Sequence, residues 1–124
     1  MQFLMLVKHN ENPGAPPKEF VKAMAKLGED AAKSGTMIAS GGLVAISRST
    51  RVRLSRGQVS AIDGPYTEAK EVVGGFAMFE LKSKEEAIEG AIRFMELHKK
   101  YWPGWEGETE IRQVLGPEAF EQKA

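Results

Sequence analysis

Phe3-Leu4-Met5-Leu6-Val7 is an unbroken apolar run that stops at Lys8-His9-Asn10. A run this short, apolar at every position, predicts a strand over 3–7 buried on both faces. Residues 10–17 carry Pro13, Gly14, Pro16 and Pro17, which suit neither a helix interior nor a strand, so a loop follows. From Pro17 the period changes. Phe20, Met24, Leu27 and Ala31 recur at four, three and four residues while Lys18, Lys22, Lys26 and Glu29 fall elsewhere, which predicts an amphipathic helix ending near Ser34-Gly35.

Residues 36–46 are apolar but broken by Gly41-Gly42, as in a strand with a bulge or a close backbone approach. Val52 and Leu54 alternate with Arg51, Arg53 and Ser55. Val59, Ala61 and Ile62 then lead to Asp63, predicting a hairpin around Arg56-Gly57. Residues 75–81 place Phe76 and Met78 on one face and Ala77, Phe79 and Leu81 on the other, as expected of a central strand. Ser83-Lys84-Glu85-Glu86 is a capping box that opens a second helix, with Ala87, Ile88, Ala91, Ile92 and Met95 as its expected core face and an end before Trp102-Pro103. Alternation over 109–115 predicts a last strand, followed by a short polar tail.

The order is βαββαβ with a hairpin inserted between the second and third core strands. That is an α+β, ferredoxin-like plan: an antiparallel sheet with two helices on one face. The opposite face would then be bare, yet the strands at 3–7 and 75–81 supply large apolar side chains to both sides. Leaving Leu4, Leu6 and their neighbours wet would forgo about 1.5–3 kcal/mol each. A two-fold homodimer packing sheet against sheet through this open face is the expected remedy, with the hairpin or tail folding over it as the alternative.

Composition narrows the partners. Seventeen basic and seventeen acidic residues cancel, with no long block of one sign, so the sequence gives no footprint for nucleic acid or an anionic membrane. No apolar stretch approaches a membrane span or a signal-peptide core, so a cytoplasmic protein is expected. The absence of cysteine excludes a disulfide framework, a thiolate nucleophile and cysteine-held metals. Two histidines without a paired carboxylate pattern give no expected metal site. The glycine pairs lack phosphate-loop and dinucleotide spacing, so no cofactor is expected either.

The most distinctive stretch is Asp63-Gly64-Pro65-Tyr66-Thr67-Glu68-Ala69-Lys70-Glu71, followed by Val72-Val73-Gly74-Gly75-Phe76. It resembles the motif of the DGPF branch of the YCII-related proteins, with Tyr66, Thr67 and Ala69 as departures. Gly42-Leu43, Arg51-Val52-Arg53, Ser83 to Ala87 and Glu110 to Val114 extend the resemblance over nearly the whole chain, as one domain over 1–124. The resemblance implies a dimeric α+β barrel, in which the sheets of two subunits enclose a cavity. It also implies a His-Asp dyad, carried onto His9 and Asp63, although the DGPF pattern fixes no histidine at position 9.

Read from the residues alone, Asp63 at a strand end, held by Gly-Pro, either presents a fixed acid or base to a pocket or only bonds nearby amides. Burial against Tyr66 and Phe76 would raise its pKa. Arg51 and Arg53 share a strand face and either fork onto an anionic substrate or lie solvated. His9 closes the first strand with a side chain suited to proton transfer. Glu68 and Lys70 either pair with each other or meet water. Ser40, before Gly41-Gly42, either lines a pocket or is satisfied by backbone. Trp102 and Trp105 either lid a cavity or anchor a loop, and His98 reads as a cation beside a helix C-terminus.

These residues support a small-molecule lyase, isomerase or hydrolase in which Asp63 is the acid or base, Arg53 orients an anionic or phenolic substrate, and Tyr66 and Phe76 shape the pocket. The alternatives are a structural dimer or a non-catalytic metabolite-binding module. For the latter, the DGPF resemblance implies a link with extracytoplasmic-function sigma factors.

Overall fold

A computed structural model of the 124-residue chain describes residues 1–10, 14–66 and 71–121. Strand β1 (Gln2–Asn10) is followed by α1 (Lys18–Ser34), β2 (Met37–Gly42), a 3-10 turn (Ile46–Arg48), the hairpin strands β3 (Thr50–Ser55) and β4 (Gln58–Asp63), β5 (Glu71–Glu80), α2 (Lys84–Tyr101), β6 (Gly107–Val114) and a short α3 (Glu118–Glu121). The main sheet has the order β2-β5-β1-β6, every neighbouring pair antiparallel, and β3-β4 stands apart as its own two-stranded sheet. This is the ferredoxin-like arrangement expected of two interleaved β-α-β units.

Register decides which side chains share a face, because directly opposed residues point the same way. Phe3 opposes Phe79 and Met5 opposes Ala77, and Phe3 and Met5 meet Ala87 and Ala91 of α2 in the buried core. The second face of the sheet carries Leu4 with Met78, Leu6 with Phe76, and Gly41 beside Phe76. A methyl group on Gly41 would fall 3.2 Å from the Phe76 ring, so the close approach expected at this glycine is the aromatic ring crossing it. Helix α1 joins α2 on the core face, where Phe20 packs edge-on to His98 at 4.6 Å.

Several boundaries move. β1 runs to Asn10 rather than stopping at Val7, because β5 and β6 continue to pair with Lys8 and His9. β5 starts at Glu71 rather than at residue 75, and absorbs Gly74 through a bulge opposite Val7/Lys8. β2 ends at Gly42 rather than 46, with its irregularity between Met37 and Ala39. The helix ends fall as their sequence signals predict. Gly35 caps α1 at φ 74°, and Ser83 Oγ accepts from the Glu86 amide at 3.2 Å. The Glu86 carboxylate, however, accepts from the Lys82 amide at 2.7 Å, one residue before the reciprocal bond of a capping box.

The core face of α2 is rotated from the expected one. Ala87, Ala91 and His98 are buried, whereas Ile88 and Ile92 are exposed, the latter by 55%. The small alanines let the helix approach Phe3 and Met5 closely, which turns the larger isoleucines outward. There they line an open groove of about 470 Å³ with Met95, Lys99, Thr109 and Ile111, between α2 and β6.

Candidate functional site

The hairpin positions most of the residues singled out from sequence. Its turn uses positive φ at both Arg56 (55°) and Gly57 (78°), the handedness that matches the twist of a two-residue hairpin. Cross-strand pairing puts Thr50, Val52 and Leu54 on one face with Asp63, Ala61 and Val59, and Arg51 and Arg53 on the other with Ile62 and Ser60. Asp63 and the two arginines therefore lie on opposite faces of one ribbon.

On the first face, the Thr50 hydroxyl donates to Asp63 Oδ1 at 2.7 Å, and Asp63 is exposed. On the second, the Arg51 guanidinium sits 3.6 Å over the Tyr66 ring, a cation-π contact. The Tyr66 hydroxyl is 3.2 Å from both Ser49 Oγ and the Ile62 carbonyl oxygen, and donates to the latter. The Gly64 amide donates to the Ser49 carbonyl at 2.9 Å. A Cβ on Gly64 would lie 2.6 Å from the Ile46 carbonyl oxygen, so only glycine fits where this turn folds back. The Gly64-Pro65 peptide is cis. The turn is thus tied to the hairpin base through Ser49, Arg51 and Ile62, and Asp63 is not buried against Tyr66 or Phe76. Arg53 is exposed and makes no ion pair or hydrogen bond among the described residues. Glu68 and Lys70 lie outside the described residues.

The open face of the main sheet carries a second constellation. Leu4, Leu6, Phe76 and Met78 form an apolar strip. Beside it, β6 sets Arg112 opposite Leu4 and Glu110 opposite Leu6. The Lys8 ammonium forms a salt bridge with Glu110, and Arg112 Nε lies 3.8 Å from the other Glu110 oxygen. The hydrogen bond and charge of Lys8 hold the Glu110 carboxyl below the usual carboxylate range. Glu108 directly opposes Lys8 on the same face, so the group holds two carboxylates and two cations, and Glu110 is the one anionic partner of Arg112 among the described residues.

The model of the YCII-related domain matches residues 1–94, about three quarters of the chain. The chain belongs to the YCII-related family. No curated protein matches it. The match covers β1 to β5, the Asp63 turn and the first half of α2. Glu110 and Arg112 of this YCII-related chain lie beyond it.

Other candidates fall at separate places in the YCII-related fold. His9 lies in the last turn of pairing of β1, its ring 6.5 Å from Trp105. A Cβ on Gly74 would be 2.1 Å from His9 Nε2, so the imidazole occupies the space this glycine leaves. No described contact joins His9 to Asp63. Ser40 is exposed and opposes Ala77, whereas Phe76 opposes Gly41, so Ser40 and Phe76 point to opposite sides of the sheet. His98 is not the helix-end cation read from its lysine-rich surroundings. It is buried among aromatic rings, and burial lowers its pKa against the opposing effect of its bond to the Phe94 carbonyl. Among the described residues no three His, Asp or Glu side chains gather as metal ligands, and no helix is long and apolar enough to cross a membrane.

Proposed function

We propose that the chain is one YCII-related domain that acts as a homodimer, its open sheet faces meeting around a chamber that binds a small amphipathic anion. One observation carries the dimer. A folded chain of 13.6 kDa exposes about 6,600 Å² when it forms a self-sufficient globule, whereas this one exposes 9130 Å². The surplus, about 2,500 Å² by the same scaling, matches what each subunit of a large obligate homodimer contributes. Its chemistry agrees. Val52, Leu54 and Val59 on the hairpin are 71%, 72% and 70% exposed, and among the described residues only five apolar ones are buried.

The chamber's ligand class comes from the open face. An apolar strip receives a hydrocarbon or aromatic body, and the Arg112 guanidinium beside it, held only loosely by Glu110 at 3.8 Å, receives a carboxylate. Binding without turnover is the reading the geometry favours, because Asp63 and Arg53 of one subunit cannot converge on one substrate from opposite hairpin faces. A metabolite-sensing role of this kind also fits the resemblance to the DGPF branch.

The test compares thermal stabilisation by phenylacetate with that by phenylacetamide, its uncharged analogue. The carboxylate is expected to raise the melting temperature and the amide not, and Arg112→Gln is expected to abolish the difference. Equal shifts from acid and amide, or none from either, would refute the anion chamber.

A further inference from the structure

The helix-bearing side of the molecule holds a second recess, lined by the end of α2 and the segment that leads into β6. At the end of α2 the His98 ring, 5% exposed, lies with its centroid 4.6 Å from Phe20, 4.7 Å from Phe94 and 4.2 Å from Trp105. Beside it lies an open recess of about 420 Å³, lined by Met95, His98, Lys99, Trp102, Trp105 and Glu106. That is the volume of a small-molecule pocket.

The histidine gives this recess a directional polar group. Its Nδ1 lies 2.9 Å from the Phe94 carbonyl oxygen, which can only accept, so Nδ1 carries the proton and Nε2 of the neutral ring has a free lone pair. Burial favours that neutral form. Nε2 has no hydrogen-bond partner among the described residues. His98 lines the recess together with Trp102 and Trp105, and there an acceptor beside aromatic rings selects a donor on an apolar ring.

We infer that this cavity binds a neutral, flat aromatic molecule bearing one hydroxyl donor, a phenol, with its ring against Trp102 and Trp105 and its hydroxyl on His98 Nε2. The charge-free ligand separates this site from the anion chamber, and neither reading depends on the other.

The chain has two tryptophans and both line the recess, so intrinsic tryptophan fluorescence reports on ligand binding there. Wild-type protein titrated with p-cresol is expected to show a saturable change. With 4-methylanisole, of similar shape but without the donor, binding is expected to be about tenfold weaker. His98→Phe is expected to bring the two affinities together. No saturable change with p-cresol, or equal binding of both compounds by the wild type, would overturn the assignment. That comparison needs no variant, so it decides the matter even where His98→Phe does not fold.

Discussion

Three glycines offer a graded test of how tightly the sheet end around His9 and Trp105 is built. None has a positive φ, so alanine costs nothing in backbone conformation and gains about 0.4–1 kcal/mol from a less flexible unfolded chain. What differs is the neighbour. At Gly116 the atoms nearest the new methyl would be those of the Glu118 carboxylate, 2.5 Å away at the end of an exposed, rotatable side chain. At Gly74 it would meet the His9 imidazole at 2.1 Å, and the ring would have to leave its place beside Trp105. At Gly107 it would lie 2.2 Å from the Lys8 carbonyl oxygen and 2.5 Å from the Trp105 ring. Lys8 is backbone-paired to both neighbouring strands and cannot yield without breaking the β1-β6 ladder. Overpacking of this kind costs about 1–3 kcal/mol, or more where backbone must shift. Gly116→Ala is therefore expected to be neutral or slightly stabilising. Gly74→Ala should lose about 1–2 kcal/mol and Gly107→Ala about 3 kcal/mol, measured by urea unfolding at constant m. A Gly107→Ala protein as stable as Gly116→Ala would refute the packing described for this end of the sheet.

Stability should also report the burial of His98. Its folded pKa lies below its unfolded one, so the unfolded chain binds the proton more readily. The contribution is complete above the unfolded value of about 6.5 and is lost as pH falls from there through the folded value. Chemical denaturation of wild type and His98→Phe across this window should show a decline in the former that is shallower in the latter; parallel curves would contradict the assignment. Asp63→Asn keeps an acceptor for Thr50 and is expected to change stability by less than about 0.5 kcal/mol, whereas Asp63→Ala should lose about 0.5–1 kcal/mol with the hydrogen bond. A loss of several kcal/mol in Asp63→Asn would mean that the carboxylate holds the turn by its charge.

The fold was legible because its signals are local. Apolar periodicity placed α1 and β5, Ser83 and Gly35 marked helix ends, and Arg56-Gly57 marked the hairpin turn. What escaped is set by register and by contacts between distant segments. Lys8 and Glu110 stand 102 residues apart, and only the β1-β6 pairing brings them to one face. Ser40 and Phe76 looked like partners in one pocket until the β2-β5 register put them on opposite sides. Lysines around His98 suggested a cation beside the helix C-terminus, yet the helix turns that position towards Phe20 from another element. The Asp63 motif was conspicuous in sequence, but alternation on the hairpin separates Asp63 from Arg51 and Arg53.

The central claim is that the surface left over by a small core is covered by a second copy. Sedimentation equilibrium on the unliganded chain at micromolar concentration tests it most directly. The account predicts a mass of twice 13.6 kDa, falling to the single-chain value in Leu6→Arg, which places a charge in the middle of the apolar strip. A folded wild-type chain sedimenting as a single subunit at that concentration would contradict it.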